Sequence, residues 1–231
     1  MPEIKWIGSP NFHHGRQGYK PLAIVCHIMS GTLVGTDAWF QNPQSQVSAH
    51  YGVGKDGSIH QYVQEADEAW ANGIVNHPTW TVLDQHPGVN PNLYTISIEH
   101  EGHPEDGLTE AQYQSSLWLQ TEIVKRWGIP IDNNHIVGHN RIDGVNRPNC
   151  PGPKFPWARL FADLDLTLQA FPPDIASGYA GFVPAVKWAS VNGILGHFPD
   201  GTIRPTEALS REQFAHALQQ YHLKVQKGEL K

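Results

Sequence analysis

The feature that most limits what this chain can become is a histidine near the end of a buried apolar run. Residues 22–28, LAIVCHI, are almost continuously apolar, the pattern of a central strand covered on both faces. Side chains alternate along a strand, so Cys26 and His27 face opposite ways. Downstream, residues 138–157 read GHNRIDGVNRPNCPGPKFPW, and supply His139 and Cys150 in a segment stiffened by Pro148, Pro151 and Pro153. Two imidazoles and a thiolate form a zinc donor set that leaves one of four positions open, as catalytic sites do and structural sites do not. His135 competes for the role, but it precedes the short strand around Ile136 and Val137, whereas His139 follows it.

A zinc with three protein ligands brings the pKa of its water to about 7, yet hydrolysis still needs a base and a donor for the developing oxyanion. Glu99 is the candidate base. In the alternating stretch 94–101 it shares a face with Thr95 and Ser97, while Tyr94, Ile96 and Ile98 take the other. The same pattern suits an exposed strand carboxylate. The two cysteines permit a disulfide. However, with His27 turned to a metal, Cys26 turns into the core and away from Cys150, as a buried apolar-like thiol.

The formal net charge of −6 excludes the basic stripe of a nucleic-acid binder. No apolar stretch is long enough for a membrane-spanning helix, so no membrane partner is expected. The first fifteen residues lack the basic and apolar regions of a signal peptide. The expectation is therefore a protein made in the cytoplasm without a signal peptide, or one whose leader is missing from this sequence.

Strand patterns alternate with helical ones. Thr36-Asp37 is positioned to cap a short helix carrying Trp39 and Phe40, and Asp56-Gly57 marks a hairpin turn within AHYGVGKDGSIHQYV. Residues 71–92 read as a long loop. Thr109 opens a helix through a Thr-x-x-Gln capping box, with Tyr113, Leu117, Val124 and Trp127 along its apolar stripe and Gly128 and Pro130 at its end. A last helix runs from Pro156 to about Ala170, burying Trp157, Leu160, Phe161, Leu164 and Leu168. The fold class is α/β, a mixed central sheet flanked by helices with a zinc-containing groove, over residues 1–170. A Pro-Pro linker at 171–176 leads to a small α-helical unit at 177–231, with helical patterns near 184–191 and from Ser210 to Tyr221.

Residues 20–170 resemble the zinc-dependent N-acetylmuramoyl-L-alanine amidases of the type 2 family, which also holds the peptidoglycan recognition proteins. The likeness rests on IVCHIMSGT, VSAHYGVGKDGSIHQYV, AWANG, YTISIEHEG and the GHNRIDGVNRPNCPGPKFPW block, in that order. It implies His27, His139 and Cys150 as zinc ligands, Glu99 as catalytic glutamate and His50 as a site-lining histidine. It also implies substrate contacts from Trp70, Asn72 and Asn140. Two positions depart from the family pattern. Where many members carry a lysine two residues before the third ligand, this chain has Pro148, leaving Arg147 as the nearby cation. Where the family commonly has Trp-His-Ala-Gly, this chain has Trp70-Ala71-Asn72-Gly73.

The tail, AVKWASVNGILGHFPDGTIRPTEALSREQFAHAL, resembles a single S-layer homology repeat, with Tyr179 where an aromatic is usually tryptophan. Such repeats bind anionic secondary cell-wall polymers, commonly in sets of three. The resemblance thus implies polymer binding by Arg204 and Arg211, whose guanidinium groups suit oxyanions, and a homo-oligomer through the tail. Taken together, the expectation is a peptidoglycan hydrolase acting on the cell wall, either a phage endolysin or an autolysin. The alternatives are a non-catalytic peptidoglycan-binding module, a Cys-His peptidase using Cys150, and a cytosolic enzyme recycling soluble muropeptides.

Overall fold

The computed structural model describes residues 2–168, 183–196, 202–204, 207–208 and 210–230. Two compact units divide the chain, Met1–Leu164 and Asp165–Lys231. The expected linker at 171–176 and Tyr179 lie outside the described residues.

The first unit contains β1 (Ile4–Trp6), β2 (Phe12–His13), β3 (Ala23–Ile28), α1 (Leu33–Gln41), β4 (Tyr51–Val53), β5 (Ile59–Gln61) and β6 (Glu68–Ala69). β7 (Thr95–His100), α2 (Glu110–Trp127) and β8 (Ile136–Gly138) follow, and α3 (Trp157–Leu168) begins within it. A six-stranded sheet runs in the order β1-β5-β4-β7-β3-β8, and β2 pairs with β6 in a separate ribbon. β4 and β5 are antiparallel, as a hairpin requires, and the other pairs in the large sheet are parallel. The mixed α/β architecture expected from the sequence is therefore present. Gly57, at φ +89°, turns the hairpin where Asp56-Gly57 predicted it. Every residue of β3 is buried, as its apolar run demanded.

Two helices depart from the expected detail. α1 is capped by Thr32, whose hydroxyl accepts from the Gly35 N–H, so the helix starts before Thr36. Asp37 is engaged elsewhere, accepting from His60 Nδ1 at 2.9 Å and the Tyr62 hydroxyl at 2.7 Å. α2 is capped by Thr109 as expected, and Gly128 closes it in the left-handed conformation. The capping box is only half made, because the Gln112 amide donates to the Val53 and Glu101 carbonyls, both at 3.0 Å. The buried face of α2 also carries Ser116 and Gln120 at full burial, while Leu117 and Trp127 are half-buried. That face meets polar groups of the sheet: Ser116 Oγ lies 2.8 Å from His100 Nε2, and Gln120 donates to Ser116 at 3.0 Å.

In the second unit, α4 (Val183–Val191) and α5 (Arg211–Lys227) occupy the two expected helical segments. Ser210 and Gln213 form a complete capping box at the start of α5, and Gly228 ends the helix.

Candidate metal centre and groove

Three elements deliver the donor atoms. β3 presents His27, paired in register with Glu99 on β7. β8 ends in a tight 3-10 turn, His139–Arg141, that points His139 back over the sheet. The Pro-rich segment then returns Cys150, and the Asn140 N–H donates to the Cys150 carbonyl at 2.9 Å, clamping the two ligand segments together. The donor atoms of His27, His139 and Cys150 all lie within 4.8 Å of one another, and all three residues are buried. His135 is not among them; it is tied to Asp132 at 2.8 Å. Cys26 and Cys150 are both free, and the Cys26 thiol faces Gln120 on the opposite side of the sheet.

Two polar atoms here lack partners. His27 Nε2 and Glu99 Oε2 are buried with no hydrogen bond, and His27 Nδ1 stands 4.0 Å from Glu99 Oε1, too far for one. Leaving such atoms unpaired costs about 1–3 kcal/mol each, a cost that a bound cation removes. The donor chemistry fits zinc: two imidazoles, a thiol, and an Ile28 N–H donating to Cys150 Sγ at 3.4 Å that favours the thiolate. Burial, reinforced by His139, holds His27 well below its usual pKa, and burial brings His139 down to about 4. Both imidazoles are thus neutral and able to coordinate. Burial, with Glu99 adding to it, pushes the Cys150 thiol up to about 12, and burial raises Glu99 to about 8 against the pull of Arg147. A dication in the cluster reverses the sense of the first of these by deprotonating the thiol.

The centre lies in a groove of about 500 Å³ whose lining includes Trp39, Val47, Ser48 and Trp70 as well as Asn146, Arg147, Pro148 and Asn149. Arg147 is exposed on the groove lining, and its guanidinium donates to the Asn146 carbonyl at 3.1 Å. Trp70 lines the groove with its ring against His13, centroids 5.0 Å apart.

Of the residues expected at the site, His50, Asn72 and Asn140 are not among those that line the groove. His50 is 1% exposed: its Nδ1 accepts from the Ser97 N–H at 3.0 Å, and Nε2 faces the Asp67 carbonyl and Arg16. No ring nitrogen is left for a substrate oxygen. Asn72 is fully buried, its amide donating to Thr95 and Ser97, so it builds the floor under the groove. Asn140 acts through its backbone in the clamp described above. In the second unit, Arg204 stands 3.7 Å from Glu207 and Arg211 is exposed at the first turn of α5. Arg204 lines a separate pocket of about 380 Å³ together with Glu207 and His216. Sequence reasoning placed Trp39 on a short helix with Phe40 and missed it as a groove residue; it is 55% exposed on the groove lining.

Comparison with known proteins agrees with this arrangement. A family model described as N-acetylmuramoyl-L-alanine amidase matches residues 17–153, and one described as S-layer homology domain matches residues 173–215. Over 178 residues the chain is 30% identical to N-acetylmuramoyl-L-alanine amidase A of Achromobacter lyticus, spanning 69% of this chain and 92% of that protein. Over 180 residues it is 33% identical to 1,6-anhydro-N-acetylmuramyl-L-alanine amidase AmpD of Citrobacter freundii, spanning 70% of this chain and 90% of that one. A crystal structure of a selenomethionine AmpD derivative superposes with a TM-score of 0.58 at 27% identity, covering 71% of this chain and 95% of the other. The buried His-His-Cys cluster and its facing glutamate thus sit inside the matched region, and the chain belongs to the N-acetylmuramoyl-L-alanine amidase family.

Proposed function

We propose that this protein is a zinc-dependent peptidoglycan hydrolase that cleaves the amide between the lactyl group of N-acetylmuramic acid and L-alanine of the stem peptide. The observation that carries the reading is the convergence of His27, His139 and Cys150 beside Glu99, with His27 Nε2 and Glu99 Oε2 unpartnered at the groove floor. His27, His139 and Cys150 hold the zinc, which when bound supplies a Lewis acid and lowers the pKa of water. Glu99 takes the proton from the attacking water and returns it to the leaving amine; burial keeps this carboxylate more basic than one in solvent. Arg147, the cation beside the position held by Pro148, steadies the charge that develops on the carbonyl oxygen. Asn140 and Ile28 act through their backbones, the first fixing the ligand segments and the second supporting the thiolate.

The segment matching an S-layer homology domain favours the wall itself as the place of action over a soluble muropeptide pool. In this reading Arg204 and Arg211 contact an anionic wall polymer and the tail supports a homo-oligomer, in an endolysin or autolysin. Digesting purified peptidoglycan and analysing the products by mass spectrometry tests the activity: intact glycan strands and stem peptides with free L-alanine amino termini are expected. Products cut between sugars, or within the peptide, would refute it. The Cys-His peptidase reading predicts activity that survives chelation and dies on thiol alkylation, so the same digestion under the two treatments separates them.

A further inference from the structure

α5 is finished at both ends and bare along its length: a full capping box opens it and Gly228 closes it, yet none of its residues is buried. Most helical stability in proteins comes from packing an amphipathic face, so a helix like this needs a partner. We infer that α5 pairs with α5 of a second copy of this chain, antiparallel and about a two-fold axis. Phe214, Leu218, Tyr221 and Val225 carry the inference. Each is between 46% and 57% exposed, and their spacings of four, three and four residues make one apolar seam. Packing within the unit falls elsewhere. The half-buried line Ala217, Gln220 and Lys224 faces the end of α4, where Ile194 lines a pocket together with Ala217. The seam lies about a quarter turn from that line, and Trp188 of α4 approaches it at the Tyr221 ring, centroids 6.5 Å apart.

A second copy is the occupant because the seam complements itself when reversed. Pairing about a point between Gln219 and Gln220 sets Phe214 against Val225 and Leu218 against Tyr221, a large ring with a smaller aliphatic group in every layer. It also brings exposed Arg211, on the border of the seam away from α4, to the end where the second copy carries exposed Glu229. A parallel pair instead stacks ring on ring, Arg211 on Arg211 and Glu229 on Glu229. Exposed ion pairs add little energy, but facing like charges exclude an orientation. Reversal also sets each helix N-terminus beside a C-terminus, which aligns their dipoles favourably. The four side chains cover roughly 400 Å² per copy, about half of a standard interface, so the pair forms at micromolar rather than nanomolar concentration. Arg211 has five N–H donors, enough to hold Glu229 and a wall oxyanion together. The inference gives a geometry to the oligomer proposed for the tail and rests on that reading, not on the amidase chemistry. A pair presents two segments that match an S-layer homology domain, and gains wall affinity by multivalency.

The test is sedimentation velocity of the full chain from about 1 to about 300 μM, across which the wild type is expected to pass from monomer to dimer. Leu218→Glu should weaken the pair by at least about tenfold, and Phe214→Gln should do the same if that variant fails to fold. Leu223→Glu, on the opposite side of α5, should leave the pair unchanged. Orientation is read from a variant carrying both Phe214→Cys and Val225→Cys, oxidised and mapped by mass spectrometry. A linkage between positions 214 and 225 is expected, and it must join two chains, because one helix holds these positions about 16 Å apart. Linkages of 214 to 214 and of 225 to 225 would overturn the antiparallel pair. A trimer, or a dimer indifferent to Leu218→Glu, would overturn this interface and leave the tail oligomer standing. A monomer at every concentration overturns the interface and the oligomer together, while digestion of peptidoglycan reads the amidase activity separately.

Discussion

The two faces of the β3–β7 strand pair are one residue apart in sequence and opposite in chemistry. On the α2 side, His100 has both ring nitrogens engaged, donating from Nδ1 to the His27 carbonyl at 2.9 Å and facing Ser116 through Nε2. Cys26 on that side is a fully buried thiol beside Gln120, pushed above its usual pKa by burial. On the groove side, His27 is buried and the Glu99 side chain only 17% exposed, yet each has a polar atom with no partner. Burial alone does not make a site. What separates these four residues is that His100 and Cys26 find partners within the protein, whereas His27 and Glu99 each keep a polar atom without one.

The cysteines provide the largest contrast. Cys150→Ala removes a donor, so stoichiometric zinc and wall-lytic activity should both be lost, measured by metal analysis and by clearing of cell-wall suspensions. Cys26→Ala should keep both, because its thiol faces Gln120 on the side of the sheet away from the donor cluster; loss of zinc there would break the comparison. Next is Glu99→Gln, expected to retain zinc while kcat falls by about 10²–10⁴, the usual worth of a general base. Full activity in this variant would remove Glu99 from the chemistry. Arg147→Ala should lower kcat by about 10² with zinc content unchanged, as removal of an oxyanion donor does. An effect confined to KM would make Arg147 a substrate-binding residue instead.

The smallest expected effect concerns stability. Burial, reinforced by the Arg16 charge, depresses His50 to about 3 from the ordinary 6.5. Between those values the unfolded chain binds the extra proton, so the stability contributed by neutral His50 is complete above pH 6.5 and lost as pH falls towards 3. Urea midpoints of the wild type should decline over that window, and His50→Gln should show a shallower decline. An unchanged slope would contradict the structural role given to this ring.

The same contrast explains what could be read in the sequence. β3, the hairpin at Asp56-Gly57, the Thr109 and Ser210 caps and the His139–Cys150 segment are local patterns, and each appears where the residues placed it. Misplaced features depend on distant partners. His50 reads as a groove residue until Arg16, 34 positions earlier, is seen against it. Gln112, Ser116 and Gln120 break the apolar stripe of α2 because they serve polar groups of the sheet beneath. Trp39 fails in the opposite direction: helical periodicity supplies no reason for an indole to stay open, and only the groove does.

The most direct test of the account is the metal itself. Protein prepared without chelator should contain one zinc per chain, and X-ray absorption should report two nitrogen ligands and one sulfur from the protein. Chelation should abolish hydrolysis and added zinc restore it. A chain that hydrolyses peptidoglycan at full rate after exhaustive chelation, or a zinc bound without sulfur, would contradict the central claim.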